Sequence, residues 1–182
     1  PPAPARPFST GPLPAPATAT TAGSTAEAGK AAGATAVAEP APPAKAVVAV
    51  VPVQSPQRVG QPIEVAVQAN RSGYVYCYVQ TAAGNIQRVY PNRQVRDPRL
   101  EAEQMLMLPA DGGFKLQADK PGAWKLACLL APREVYNDLP PPARWGDFED
   151  VRLKSFAEIR DAFQKAGGQP VVMDELAWQV AP

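Results

Sequence analysis

The chain has 182 residues, 18 Lys and Arg against 17 Asp and Glu, and no histidine. So even a charge balance leaves no basic surplus to neutralise phosphates, which excludes nucleic-acid binding by the usual electrostatic route. The missing histidine removes Ser-His-Asp and Cys-His triads, histidine metal sites and the commonest general base in one step.

Residues 1–45 are almost wholly Ala, Pro, Thr, Gly and Ser, with Phe8 and Leu13 the only large apolar side chains before Val37. Such a segment buries too little apolar surface to offset its conformational entropy, so a disordered tether is expected there. Its start in Pro-Pro-Ala reads as the interior of a longer segment, compatible with a secretion signal or a lipidated cysteine upstream. No stretch approaches the roughly 18 apolar residues of a membrane span.

From Ala46 the composition turns to Val, Leu, Tyr and Trp, giving one expected domain over 46–182. Ala46 to Val53 reads as a first strand, ended by Ser55-Pro56. After Gly60-Gln61-Pro62, Ile63, Val65 and Val67 alternate with Glu64 and Gln68, the pattern of a half-buried strand. Arg71-Ser72-Gly73 turns into Tyr74 to Gln80, with Val75, Cys77 and Val79 on one face and Tyr74, Tyr76 and Tyr78 on the other. Either face of that strand is a candidate for the core. Ala83-Gly84-Asn85 is a hairpin turn into Ile86 to Tyr90, and Pro91-Asn92 ends that strand.

Arg88, Arg93, Arg96 and Arg99 form a local basic run, interrupted by Asp97, Glu101 and Glu103. Short apolar pieces follow at Met105 to Leu108, Phe114 to Gln117 and Trp124 to Leu130, separated by Pro109, Asp111-Gly112-Gly113 and Lys120-Pro121-Gly122. Turn signals at this spacing predict an antiparallel sandwich or barrel rather than βαβ units. Leu139 to Phe148 is too rich in proline for regular structure. It either drapes over the sandwich or presents Trp145 and Phe148 to a partner. Ser155 and Glu158 form a capping box, Phe156, Ile159, Ala162 and Phe163 share a helical face, and Gly167-Gly168 stops the helix, predicted near 155–166. A last strand is expected over Val171 to Val180.

Cys77 and Cys128, the only cysteines, are open to two readings: two buried thiols, or a disulfide between strands that implies an oxidising compartment. The carboxylate pairs Glu101/Glu103, Glu149/Asp150 and Asp174/Glu175 lie in charged, surface-type contexts, and Asp97, Asp111 and Asp119 fit no calcium loop. No catalytic residue, metal site or cofactor motif is predicted, and the chain is expected not to be an enzyme.

From Gly73 to Leu130 the chain resembles a bacterial family classed as a domain of unknown function. The resemblance is carried by Gly73-Tyr74-Val75-Tyr76, Gly84, Tyr90-Pro91-Asn92, Leu108-Pro109 and Pro121-Gly122. It implies an immunoglobulin-like, extracytoplasmic antiparallel β-sandwich, associated with lipoproteins, secretion or surface-appendage systems, and carries no catalytic residues. The resulting expectation is a mainly β domain with one C-terminal amphipathic helix. It would serve as a cell-envelope adaptor, in the periplasm or at the outer membrane, binding proteins through Tyr74, Tyr76, Tyr78, Trp145 and Phe148. The alternative is a glycan- or peptidoglycan-binding module, with aromatics stacking on sugars and Arg88 and Arg93 holding an acidic group.

Overall fold

Eight strands and one α-helix form two antiparallel sheets, with the helix laid on the outer face of the larger one, in a computed structural model that describes residues 45–182 apart from Gln57 and Trp145. All of the expected tether but Lys45 lies outside the described residues, which belong to the unit Pro42–Pro182.

The smaller sheet has the order β1 (Val48–Gln54), β2 (Glu64–Ala69), β6 (Met105–Leu108). The larger has the order β4 (Ile86–Tyr90), β3 (Gly73–Gln80), β7 (Gly122–Ala131), β8 (Val172–Val180), with the short β5 (Arg99–Leu100) pairing with the start of β3. Alternation decides what lies between the sheets. Val48, Val50, Val65, Val67, Leu106 and Leu108 from the small sheet meet Val75, Cys77, Val79, Trp124, Leu126, Cys128 and Leu130 from the large one, all buried.

The opposite face of β3 and β7 is also buried. Tyr76, Tyr78, Ala127 and Leu129 pack beneath Phe156, Ile159 and Phe163 of α1 (Phe156–Gly167). The Phe163 ring centroid lies 4.7 Å from that of Tyr76 and 6.3 Å from that of Tyr78. The molecule is therefore a sandwich with a third, partial layer. Its central strands β3 and β7 are covered on both sides, so their sequences read apolar in both phases.

The capping box closes the helix start with a small difference from the sequence expectation. The Glu158 backbone N–H donates to Ser155 Oγ, but the Glu158 carboxylate accepts from the backbone of Lys154, one residue earlier. At the far end Gly168 adopts φ 62°, and Arg133 donates to the carbonyls of Ala166 and Gly167, satisfying the last turn's free acceptors.

Two further expectations are corrected. Phe114 to Gln117 forms no strand; only the isolated bridge Gln117–Pro62 ties it to the sheets, and Leu116 O accepts from Ile63 N. Gly73 serves close approach rather than a bend. A Cβ there would meet Leu130 Cδ1 at 2.7 Å and Ala131 O at 2.8 Å, so only glycine lets β3 start this close to β7.

Candidate functional site

Of the five aromatics expected to bind partners, two are not on the surface. Tyr76 and Tyr78 are fully buried under α1, because the helix supplies the apolar cover that the sandwich partner supplies on the other face. Tyr76 Oη donates to Glu134 at 3.0 Å, whereas Tyr78 Oη has no hydrogen-bond partner among the described residues. Burial pushes both phenols far above their ordinary range. Tyr74 is half-buried at the margin of the same cluster. Phe148 is half-buried too, its ring 5.2 Å from that of Phe114, and Trp145 lies outside the described residues. The segment before them drapes over the tyrosine face, burying Leu139 and Ala143 through two 3-10 turns, Tyr136–Asp138 and Pro141–Ala143.

Cys77 and Cys128 form a disulfide between directly opposed residues of β3 and β7, with Cα atoms 4.2 Å apart. It joins neighbouring strands within one sheet and lies wholly inside the core.

An open cleft of about 590 Å³ lies at the edge of β4. Its origin is a β-bulge. Tyr78 pairs with Arg88 but Cys77 pairs with Tyr90, so Val89 is the extra residue. Val89 and Tyr90 both enter the inter-sheet core, while Arg88 stays on the helix-side face and lines the cleft. Arg88 is 6 % exposed. Its guanidinium stacks 4.2 Å above the Tyr136 ring centroid and pairs through Nη2 with Asp147 Oδ1. The same carboxylate accepts from the Arg93 backbone N–H through Oδ2 at 2.6 Å, with Arg93 Nε 3.6 Å away. Arg88 Nε is buried without an acceptor, and no ion pair to Arg96 forms among the described residues, although Arg96 lines the cleft. Burial raises the Tyr136 phenol while Arg88 beside it pulls the other way.

The rim is fixed by the Tyr90-Pro91-Asn92 step. Asn92, 4 % exposed, donates to Val89 O at 3.0 Å and Gly112 O at 2.8 Å, and its Oδ1 accepts from the backbones of Gln94 and Val95 at 2.9 and 3.1 Å. Tyr90 Oη donates to Asp97 O at 3.2 Å. The amide thus acts as a clasp, using its donors and acceptors on four backbone groups, and it sets where Arg93 starts. Opposite, residues 146–151 run along the free edge of β4: Phe148 N donates to Arg88 O and Val151 N to Ile86 O. Phe148 sits at φ 59°, a conformation that costs a bulky L-residue about 1–2 kcal/mol.

Elsewhere the outer side of the small sheet carries exposed Val47, Val51, Val53 and Met105, with no further layer over it among the described residues. The carboxylates singled out in the sequence hold structure: Asp174 accepts from Val50 N across the gap between β1 and β8, Glu101 pairs with Arg99, and Asp150 accepts from Gln87. No group of three or more Cys, Asp or Glu able to hold a metal forms among the described residues. No described helix is long and apolar enough to cross a membrane.

Sequence reasoning identified the arginines of the cleft but missed Tyr136, Asn137 and Asp147, which reach it from 48 to 59 residues downstream of Arg88. A residue-by-residue reading offers no signal for that meeting.

The model of a family described as a domain of unknown function (DUF4384) matches residues 57–134. That span runs from the β1–β2 connection past the end of β7, and includes the Asn92 clasp and the three arginines but not Tyr136 or Asp147. No curated protein and no solved structure matches the chain.

Proposed function

We propose that the domain is a non-catalytic binding module of the bacterial cell envelope that takes an acidic saccharide in the Arg88–Arg93–Arg96 cleft. The observation that carries this reading is the concentration of three guanidinium groups around one open concavity in an otherwise charge-balanced chain. The cleft's volume falls in the roughly 300–1,000 Å³ range of small-ligand sites. Its lining mixes polar and apolar groups, with Asn137 and Arg93 for hydrogen bonding, and its open shape offers no deep pocket for a peptide side chain. The buried disulfide supports an oxidising compartment. Asp147, the carboxylate in the cleft's lining, is already engaged by Arg88 and the Arg93 backbone N–H, which supports binding without turnover.

The test is calorimetric titration of the full chain with an oligogalacturonate, against Arg93→Ala/Arg96→Ala. Affinity that falls at least about tenfold in the double variant supports the reading. Equal affinity, or no binding by either protein, refutes it. Tighter binding of a pentaglutamate peptide than of the sugar would transfer the cleft to a protein ligand.

A second reading, an adaptor that docks on another envelope protein, is favoured by the uncovered Val47, Val51, Val53 and Met105 face. Exposed aliphatic side chains grouped on one sheet are the usual mark of a contact surface. An envelope pull-down lost on Val51→Lys/Val53→Lys but retained on Arg93→Ala/Arg96→Ala would establish it.

A further inference from the structure

We propose that Asp147 is a tethered stand-in for the ligand's acid, and that a carboxylate ligand enters the cleft by exchanging with it at Arg88 and Arg93. The inference rests on the binding reading above and adds the ligand's chemical class and the regulation of the site.

The geometry of Asp147 is that of an occupant. Each carboxylate oxygen has its own partner, Oδ1 on Arg88 Nη2 and Oδ2 on the Arg93 backbone N–H at 2.6 Å. A planar acid with two oxygens reproduces both contacts one for one. The donors also exceed what Asp147 can use. Arg88 Nε is buried without an acceptor, and Arg96 makes no ion pair among the described residues. Tyr78, the cross-strand neighbour of Arg88, likewise has a buried hydroxyl without a partner among the described residues.

Exchange is also the cheapest route for the buried cation. Arg88 is 6 % exposed, and leaving it without a counter-charge is strongly unfavourable. A neutral ligand that pushed Asp147 aside would incur that penalty, whereas an anionic one replaces the charge as it arrives. The movement required is local. Val151 N remains on Ile86 O, so the segment stays attached to β4 downstream of Asp147. Phe148 at φ 59° is a residue that gains by relaxing once Asp147 leaves. No covalent bond is made or broken; one ion pair replaces another.

The experiment titrates oligogalacturonate, and separately inorganic phosphate, into the full chain as wild type, Asp147→Asn, and Asp147→Asn/Arg93→Gln/Arg96→Gln. Removing the internal competitor is expected to tighten oligogalacturonate binding about 3- to 10-fold in Asp147→Asn, and the triple variant to lose that gain. Phosphate should bind more weakly than the sugar acid in both folded proteins. Because Asp147→Asn also strips Arg88 of its counter-charge, the melting temperature is followed in parallel, and the sugar acid should raise it more in the variant than in wild type.

Unchanged or weaker binding in Asp147→Asn, with wild-type binding still dependent on Arg93 and Arg96, overturns exchange and leaves the binding reading intact. No binding to either protein removes both. Phosphate binding more tightly overturns the carboxylate assignment. A variant that stays unfolded even with the sugar present overturns it too, since Asp147 would then be purely structural.

Discussion

Replacing Asn92 with alanine removes one side-chain amide and strands four backbone groups. Two of them, the carbonyls of Val89 and Gly112, belong to buried residues and lose the donors that stand 3.0 and 2.8 Å away. The N–H groups of Gln94 and Val95 lie nearer the surface, where water can replace Oδ1. Counting only the buried carbonyls, each at about 1–3 kcal/mol when left unsatisfied, the expected loss is about 3 kcal/mol. For a domain of this size that corresponds to a fall in melting temperature of roughly 10 °C, read by calorimetry or urea denaturation. Asn92→Asp separates hydrogen bonding from packing. At neutral pH its carboxylate keeps the two acceptor roles but faces the two carbonyls without a donor, so it should be less stable than the alanine variant. That environment raises the new carboxyl's folded-state pKa above the unfolded value near ~3.9. Its destabilisation therefore grows as pH rises above that value and shrinks on acidification, when the protonated acid donates. A loss below about 1 kcal/mol in Asn92→Ala, or an Asn92→Asp protein more stable than Asn92→Ala at pH 7, would refute the clasp.

Gly73→Ala should lose about 1–3 kcal/mol in urea denaturation, because the added methyl meets the Ala131 carbonyl at 2.8 Å and that backbone is fixed by pairing. Cys77→Ala/Cys128→Ala should lose about 4 kcal/mol by the loop-entropy model for a separation of 51 residues, measured against the oxidised wild type. The two buried tyrosines should part company. Tyr76→Phe loses the bond to Glu134 and should cost about 1 kcal/mol, while Tyr78→Phe removes an unpartnered hydroxyl and should be neutral or stabilising by about as much. Both phenols are raised by burial, so their contribution is complete below the ordinary phenol value near ~10 and is lost as pH rises above it. Tyr78→Phe should accordingly flatten the alkaline loss of stability, and a spectrophotometric phenol titration coupled to unfolding checks the assignment.

The strands were legible wherever one face was wet. Ile63, Val65 and Val67 follow the alternation read from the chain and lie in the core, and the helix stripe of Phe156, Ile159 and Phe163 is the buried one. Legibility failed at Tyr74–Tyr78, where periodicity names two faces but not which is covered. Covering depends on a helix some eighty residues later, and no local pattern encodes that. The arginine run was visible as charge, but its meaning depends on a bulge at Val89 and a carboxylate at 147, both products of packing. Tyr90-Pro91-Asn92 was readable as punctuation, and only the folded chain shows the amide's four partners.

The bond between Cys77 and Cys128 has a mechanical consequence. A pull on the two ends of the domain can extend the chain only outside the covalent loop, withholding 51 residues, or roughly 170 Å of contour length. Arg88, Arg93 and Arg96 lie inside that loop, and Asp147 lies on the stretch that would bear the load. Tension would therefore draw the acid away from the arginines while the covalent loop shields their segment from the force, making the cleft a place where stretching and ligand capture meet.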